Sequence, residues 1–343
     1  MSLKKISELT GASVSTISRV LNKPGYQCQN PSMTEKILET ARSLNYIPNQ
    51  NARQLKLGTT DVSKAESKSF VIDILLARFD ALDKDPFFHE LFRHVESEFH
   101  KQNCCLGRIL TIPDVSIMNV SNERIRSDGL LILGKCPTDI VDILLRKYHS
   151  TIAIDRNPMD HKMDEVVCNG SRAATMAVEY LLQLGHRKIA YIGDCNMESR
   201  YMGYYECLLS HKIPLTYDYV IATNQTREDG YRAFERLFTY EKRPTAVFCA
   251  NDVTALGFLQ AMKDKNGRKK KQVYQPAVIS IDDIEEASTF SPMLTTVRIP
   301  KEDMAHLAVL TLRDRLQRGH REYIRLEIPC QLMIRESSGV HVI

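Results

Sequence analysis

Hydrophobic residues in most of this chain occur in short continuous runs that alternate with segments of helical periodicity. The runs predict strands covered on both faces, because such strands are apolar at every position. The predicted strands span residues 70–76, 130–133, 151–154, 189–192, 246–249 and 278–281. The predicted helices span residues 87–101, 139–148, 171–184, 199–211, 228–240, 253–263 and 301–318. Strands that alternate with helices predict an α/β body with doubly wound parallel sheets.

The first sixty residues differ, because amphipathic segments occur there without apolar strands. The first segment is predicted to begin at an N-cap, Ser2, and to end at Gly11, which can adopt the left-handed conformation. Ser13 is the predicted cap of a second helix, in which Ile17 and Leu21 would pack toward the first. A third amphipathic segment would complete a three-helix unit.

The outer face of the second predicted helix has the side chains expected of a DNA-reading surface. Arginine can bind guanine with two hydrogen bonds, and serine or threonine can bind bases or phosphates in the major groove. The residues on this face are Ser15, Thr16, Ser18, Arg19 and Asn22. A plain helical hairpin with a solvated polar face is the alternative interpretation.

The charge distribution favours DNA binding by this segment. Residues 1–59 contain eight Lys and Arg and three Glu, a formal charge of +5, whereas the whole chain has +4. The remainder of the chain is therefore close to neutral. A basic segment that coincides with a helix-turn-helix pattern is the expected electrostatic footprint of a phosphate-binding headpiece.

Several segments of the chain resemble the LacI/GalR family of bacterial transcription regulators. The headpiece and hinge of that family resemble SVSTISRVLN at 13–22 and NYIPNQNARQL at 45–55. The resemblance continues in LLQLGHRKIAYIGD at 181–194, PTAVFCANDVTALG at 244–257, and ISIDD and SPMLTTVRIP between 279 and 300. It implies a dimeric repressor with a hinge helix that forms on the operator. The body would be a two-lobed effector-binding core like that of periplasmic sugar-binding proteins.

The resemblance also assigns DNA contacts to individual residues. Val14 and Ser15 match the family's base-reading positions, Thr16 its backbone contact and Arg19 its specificity arginine. Leu55 matches the hinge leucine that wedges between base steps. Such a wedge costs unstacking energy, but it kinks the DNA so that the protein contacts more of it. Asn49 and Ala52 match neighbouring minor-groove positions. The full predicted DNA-binding set is Ser2, Val14, Ser15, Thr16, Ser18, Arg19, Asn22, Tyr46, Asn49, Ala52 and Leu55.

The predicted organisation has three parts. Residues 1–59 form the headpiece and hinge helix, the polar and aperiodic residues 60–68 form a linker, and residues 69–343 form the core. Within the core, the first lobe is predicted to contain about 69–157 and 286–318. The second lobe is predicted to contain about 158–285 and 319–343. The C-terminal residues have no heptad helix that would form a tetramer, so we expect a homodimer.

Polar residues at the ends of predicted strands indicate a ligand site. In doubly wound sheets, ligands bind at the carboxyl ends of the strands. Carboxylates, an amide and a guanidinium can bind neighbouring hydroxyls of a sugar, and phenylalanine rings can cover its apolar face. With the resemblance, this predicts an effector site formed by Phe79, Asp85, Phe87, Asp155, Arg200, Asn251 and Asp282. Phe88 and Phe290 are further candidate rings, whereas Asp252 and Asp283 are interpreted as loop-capping acids.

Other classes of protein are disfavoured. No GxGxxG, Walker or GxSxG motif occurs, so no catalytic residue or cofactor is predicted. The nine cysteines form no CxxC pair, which indicates reduced thiols in the cytoplasm and no metal site. No apolar run is long enough for a membrane span, and the polar N-terminus does not resemble a signal peptide.

The sequence therefore predicts a transcription repressor with two ligands. One is a double-stranded DNA operator, and the other is a small carbohydrate that changes operator affinity allosterically. The body resembles regulators of β-galactoside metabolism, which makes a galactoside the expected effector. The alternative is a constitutive DNA-binding regulator, or one that responds to a purine or a protein partner.

Overall fold

The protein divides into two compact units, Met1–Ser67 and Lys68–Ile343. The computed structural model describes residues 3–13, 16–17, 20, 33–34, 36–37, 40, 69–78, 85–121, 125–154, 162–196, 198–268 and 274–339. The predicted hinge helix and linker lie outside these residues.

The N-terminal unit begins with helix α1 (Leu3–Thr10), which ends in a tight turn. Gly11 has a φ of +76°, and its amide donates to the carbonyl of Ser7 at 2.9 Å, as predicted for a helix-terminating glycine. The chain is helical again at 16–17 and 20, and at 33–34, 36–37 and 40. Ile6, Ile17 and Ile37 are fully buried, so each of the three helical segments buries an apolar side chain.

The first sheet of the core unit is parallel throughout in the described residues. Its order is β11–β5–β4–β3–β1–β2. The strands are β1 (Phe70–Leu76), β2 (Cys104–Thr111), β3 (Gly129–Leu133), β4 (Thr151–Ile154), β5 (Asp164–Val167) and β11 (Arg325–Glu327).

The second sheet has the order β12–β10–β9–β8–β6–β7. Its strands are β6 (Ile189–Gly193), β7 (Val220–Ala222), β8 (Ala246–Cys249), β9 (Ala277–Asp282), β10 (Thr295–Arg298) and β12 (Gln331–Met333). The pairing of β10 with β12 is antiparallel and the other pairings are parallel. The two sheets confirm the predicted fold class of a two-lobed α/β core.

Helices cover both faces of the first sheet. They are α2 (Pro86–Lys101), α3 (Ile112–Ser121), α4 (Thr138–Lys147) and α10 (Lys301–Leu316). Leu131 and Leu133 of β3 pack in the cluster that contains α2 and α10, whereas Leu130 and Ile132 pack in the cluster that contains α3 and α4. Because successive side chains of a strand point to opposite faces, this central strand is apolar at every position.

The second sheet is accompanied by five further helices. They are α5 (Gly170–Gln183), α6 (Ser199–Ser210), α7 (Arg227–Phe238), α8 (Asp252–Arg268) and α9 (Glu285–Thr289). Short 3₁₀ turns occur at Tyr217–Tyr219 and Glu336–Ser338. Helices α7 and α8 pack with their backbones in close approach, since a Cβ atom at Gly257 would lie 1.9 Å from the carbonyl oxygen of Arg227. This contact fixes the spacing of the two loops that precede these helices.

The strand pairing corrects the predicted lobe boundaries. The chain passes between the sheets three times, at 168–169, 299–300 and 328–330. The predicted changes of lobe near 157, 285 and 318 were therefore placed too early. Segment 164–167 was missed because it reads DEVV, and its first carboxylate is buried where Arg315, His320 and the amide of Ile324 bind it.

Candidate functional site

The predicted DNA-reading helix begins at a serine cap. The amide of Thr16 donates to Ser13 Oγ at 3.1 Å, which confirms the predicted cap, and the Thr16 hydroxyl lies 2.9 Å from the same oxygen. Thr16 is half-buried in this first turn. The other predicted DNA contacts lie outside the described residues: Ser2, Val14, Ser15, Ser18, Arg19, Asn22, Tyr46, Asn49, Ala52 and Leu55.

The core contains a cavity of about 520 Å³ between its two sheets. Residues that follow the carboxyl ends of strands line it from both lobes, as expected for a doubly wound architecture. From the first lobe come Ala77, Arg78, Phe88, Ile112, Lys135, Cys136, Pro137 and Thr138. From the crossovers and the second lobe come Cys168, Gly170, Asp194, Glu198, Ser199, Arg200, Gln225 and Ile299.

Arg200, a predicted effector residue, is held rigidly at the cavity wall. Its Nη1 donates to the carbonyl of Ala250 at 2.5 Å, and its Nη2 donates to Asp282 Oδ1 at 3.0 Å. The Arg200 side chain is 15% exposed and that of Asp282 is 7% exposed. The structure therefore brings these two predicted residues together, with the guanidinium at the cavity and the carboxylate behind it. Asp282 is a positioning residue in this arrangement.

The backbone of Asp282 connects the cavity to the other lobe. Asp282 and Asp283 have φ values of +127° and +50°, which turn both carbonyl groups toward Lys301 at the start of α10. Lys301 Nζ donates to each carbonyl at 2.9 Å and forms an ion pair with Glu90 of α2 at 3.0 Å. Residues that hold the cavity-facing guanidinium are thus tied to a helix of the first lobe.

The predicted segment 85–88 contributes one aromatic side chain to the cavity. Asp85 caps α2, because its Oδ1 accepts from the amides of Phe87 and Phe88. Burial raises the pKa of Asp85, against the opposing effects of these amides and of the charges of Arg78 and Arg200. Phe88 lines the cavity beside Gly134, whereas Phe87 is 3% exposed and packs in the core. Phe88 therefore occupies the place predicted for Phe87.

Asn251 lies behind the cavity wall and does not line it. Its Oδ1 accepts from the amide of Thr254 at 3.0 Å, which caps α8, and its Nδ2 donates to the carbonyl of Gln225 at 3.1 Å. Gln225 has a φ of +64°, and its side chain reaches the cavity, where Arg78 Nη2 donates to its Oε1 at 3.4 Å. Asn251 therefore positions Gln225, and the contact between Arg78 and Gln225 joins the lobes.

Asp252 and Asp283 are not part of the cavity lining, and both carboxylates bind partners within the second lobe. The Asp252 carboxylate accepts from the hydroxyls of Ser280 and Thr296, each at 2.6 Å, and from the amide of Ile284 at 2.9 Å. It thus fixes the loop that contains Asp282. The Asp283 carboxylate forms ion pairs with two arginines of the second lobe, Arg298 and Arg335.

Phe79 and Asp155 lie outside the described residues, and Phe290 is half-buried against the core. Seven lining residues with charged, amide or hydroxyl side chains were not predicted: Arg78, Lys135, Thr138, Asp194, Glu198, Ser199 and Gln225. The signal that identified Asp155, a polar residue just after an apolar strand, also applies to Asp194 and Lys135. Gln225 follows a short strand that the hydrophobic pattern does not reveal. Among the described residues, no group of three or more His, Cys, Asp and Glu side chains could hold a metal ion.

Comparison with known proteins identifies the chain. A model of the lacI family of bacterial regulatory proteins matches residues 2–49, and a periplasmic binding protein-like domain matches residues 178–338. The HTH-type transcriptional repressor PurR of Haemophilus influenzae is 30% identical over 349 residues, which cover 98% of each chain. The chain belongs to the lacI family. The members of this family are DNA-binding transcription regulators and not enzymes. This confirms the predicted family and the prediction that the protein is not an enzyme.

Other members and structures extend the comparison. The probable HTH-type transcriptional repressor ExuR of Bacillus subtilis is 28% identical over 343 residues, or 98% of each chain. A transcriptional regulator CelR–cellobiose complex has a TM-score of 0.68 at 22% identity, covering 98% of this chain and 99% of that one. The lac repressor dimer bound to operator and the anti-inducer ONPF has a TM-score of 0.66 at 20% identity with the same coverage. In the part of the chain that the structure describes, no helix has the length and apolar character needed to span a membrane.

The Asp252 network makes the stability of the second lobe depend on pH. Burial raises the pKa of Asp252 to about 6, above the ordinary aspartate value of about 3.9. Between these pH values the folded protein keeps a proton that the unfolded chain has lost, so the free energy of unfolding falls as pH rises. Asp252→Asn removes this titration. The difference in unfolding free energy between wild type and variant should therefore change by up to about 3 kcal/mol between pH 4 and pH 7.

Urea unfolding of both proteins at a series of pH values measures this difference. Asp218→Asn, at an exposed aspartate of the same lobe, is the control and should give a small and constant difference. A constant difference for Asp252→Asn as well would contradict the assigned protonation of the buried carboxyl.

Proposed function

We propose that this lacI-family repressor binds a small carbohydrate in the cavity between its lobes, and that the bound sugar changes its affinity for an operator. The observation that carries the proposal is the fixed guanidinium of Arg200. Two protein oxygens orient it, and it faces a cavity that polar groups of both lobes line. A guanidinium fixed at the wall of a polar cavity suits the hydroxyl groups of a sugar.

The remaining lining favours a polyol over a flat heterocycle. Acidic, basic and amide side chains offer both acceptors and donors, whereas Phe88 supplies the aromatic surface of the described lining. A planar base would be expected to stack on aromatic faces. The resemblance to regulators of β-galactoside metabolism makes a galactoside the first effector to test. A purine is the alternative, because relatives are repressors named PurR.

Ligand control requires that the sugar bind two arrangements of the lobes with different affinity. Groups from both lobes line the cavity, so a bound ligand would contact both at once and favour one arrangement. The contacts between Arg78 and Gln225 and between Lys301 and the carbonyl groups of Asp282 and Asp283 would then be made in some arrangements and not in others. A coupling free energy of about 1–3 kcal/mol would change operator affinity by about 5- to 150-fold.

We further propose that the protein acts as a homodimer. Helix α3 buries Val115 and Met118, yet Ile117 is 66% exposed and Val120 is 88% exposed. A surface helix normally has polar residues on its outer face, so apolar residues there indicate a contact surface. A second copy of the chain is the partner that operator binding by two headpieces requires.

Arg200→Lys is expected to abolish sugar binding while the protein stays folded. Lysine keeps a positive charge near Asp282, but it lacks the fork that can bind two groups at once. At 100 times its dissociation constant, a ligand stabilises the wild type by about 2.7 kcal/mol, and this stabilisation should disappear. The measurement is a thermal-shift screen against mono- and disaccharides, sugar phosphates and purines.

Arg232→Ala is the matched control, because Arg232 lies on the outer surface of the same lobe and pairs with Glu228. It should respond to the ligand as the wild type does. A ligand that stabilises wild type and Arg200→Lys equally would place the effector site elsewhere.

Leu55→Ala is expected to abolish specific operator binding and to leave ligand binding by the core intact. An apolar wedge that kinks DNA contributes a few kcal/mol, so affinity for sites that the wild type selects from a random library should fall by about 100-fold or more. Non-specific binding and its dependence on salt should stay unchanged, because phosphate contacts provide them. Equal affinity of both proteins for the selected sites would rule out the hinge assignment.

The double variant Ile117→Asp/Val120→Asp should dissociate the dimer. Charges placed on both apolar positions would have to be desolvated at the interface. Sedimentation equilibrium should show a dissociation constant at least about 100-fold higher than that of wild type. Ile334→Asp, at an exposed apolar residue of the second lobe, is the control. If the double variant stays dimeric, α3 is not the contact surface.

A further inference from the structure

Two of the three chain crossovers between the lobes contain a cysteine. Cys168 lies in the crossover from β5 to α5, and Cys330 lies in the crossover from β11 to β12. These short segments must bend or twist when the lobes move relative to each other. A covalent bond between them would restrict that movement.

The structure places the two thiols beside each other. Strands β5 and β11 pair in parallel up to Val167 and Glu327, and the amide of Ile328 then donates to the carbonyl of Val167 at 2.9 Å. The two chains leave the first sheet side by side from this point. The Cys168 and Cys330 side chains share a hydrogen bond.

The Cys330 thiol has the chemical character of a nucleophile. The hydrogen bond from Cys168 and the positive charge of Arg172 lower its pKa to about 7, although burial and Glu327 act in the opposite direction. Burial instead raises the pKa of Cys104 and Cys207 to about 11. A thiolate is the reactive form of cysteine, so Cys330 should react ahead of these buried thiols near neutral pH.

Small oxidants can reach the pair. Cys330 is partly exposed, and Cys168, although 9% exposed, lines the open cavity between the lobes. The pair thus combines a low-pKa thiol with an adjacent thiol that can resolve an oxidised sulfur, which is the arrangement of redox-sensing cysteines.

We propose that Cys168 and Cys330 are a redox-active pair that a peroxide converts to a disulfide bond across two crossovers. The Cys330 thiolate attacks one peroxide oxygen, the O–O bond breaks, and the second oxygen leaves as water after taking up a proton. Cys330 is then a sulfenic acid. The Cys168 sulfur attacks it, the S–O bond breaks, and a second water leaves with the thiol proton. Two thiols have been oxidised, and one peroxide has been reduced to two waters.

The expected consequence is a core with restricted lobe movement. The bond would join the chain before α5 to the chain before β12, so two of the three crossovers would no longer move independently. It would also change the cavity wall at Cys168. Formation of the bond does not depend on which effector the cavity binds.

The experiment treats the full-length protein with hydrogen peroxide and maps its peptides by mass spectrometry under non-reducing conditions. The expected product joins the peptides of Cys168 and Cys330 and lacks two hydrogen atoms relative to their sum. Cys168→Ser should leave Cys330 as a sulfinic or sulfonic acid, because the resolving thiol is absent. Cys105→Ser, at an exposed cysteine of the first lobe, should form the same cross-linked peptide as wild type.

A stability measurement tests the effect of the bond on the two crossovers. A bond between Cys168 and Cys330 closes a long loop of the chain. It should raise the unfolding temperature of the oxidised wild type by about 5 °C or more, and dithiothreitol should reverse this increase. Cys168→Ser and Cys330→Ser should show no reversible increase. The proposal is overturned if peroxide oxidises Cys105 while Cys168 and Cys330 both stay reduced. Formation of the bond without a change in the unfolding midpoint would overturn the proposed effect on lobe movement.

Discussion

The ion pair between Arg200 and Asp282 is the interaction on which the geometry of the cavity depends. A guanidinium on a helix and a carboxylate at the end of β9 meet with little exposure to water. Buried ion pairs contribute little net stability, because desolvation offsets much of their attraction. What this pair provides is orientation: protein oxygens of Ala250 and Asp282 fix the guanidinium where it lines the cavity.

Orientation of Arg200 in turn requires that the Asp282 loop keep an unusual backbone. Two consecutive non-glycine residues with positive φ are strained, and such residues persist where surrounding contacts determine them. Asp252 provides those contacts within the second lobe, because its carboxylate binds the amide of Ile284 and the hydroxyls of Ser280 in β9 and Thr296 in β10. Lys301 provides them from the other lobe, by binding both carbonyl groups. The raised pKa of Asp252 shows that this support has an electrostatic cost in the second lobe.

Much of the fold could be predicted from the sequence, because the central strands are apolar on both faces. The predicted bounds 70–76, 151–154 and 246–249 agree with β1, β4 and β8. The edge strand β2 was missed, since it contains a glycine and an arginine. Lobe membership was predicted incorrectly because crossovers have no hydrophobic signature of their own. Only pairing with distant strands determines to which sheet a short segment such as β11 belongs.

Prediction of the site was limited for a related reason. Residues after strands could be recognised as cavity candidates, and Arg200 does line the cavity. The sequence cannot distinguish a side chain that faces the ligand from one that holds its neighbour, as Asp282 and Asn251 do. That distinction depends on partners 26 to 82 residues away in the chain.

These contacts also limit how a ligand can control DNA binding. A ligand that binds both lobe arrangements equally shifts neither, however tightly it binds. Arg200 is fixed within the second lobe, so a contact to it alone gives little discrimination between arrangements. Discrimination requires simultaneous contact with the first lobe, where Phe88 and the segment after β3 face the same cavity. The proposed effector must therefore be long enough to reach from Arg200 to that wall, and a compound that reaches Arg200 alone is expected to bind without regulating.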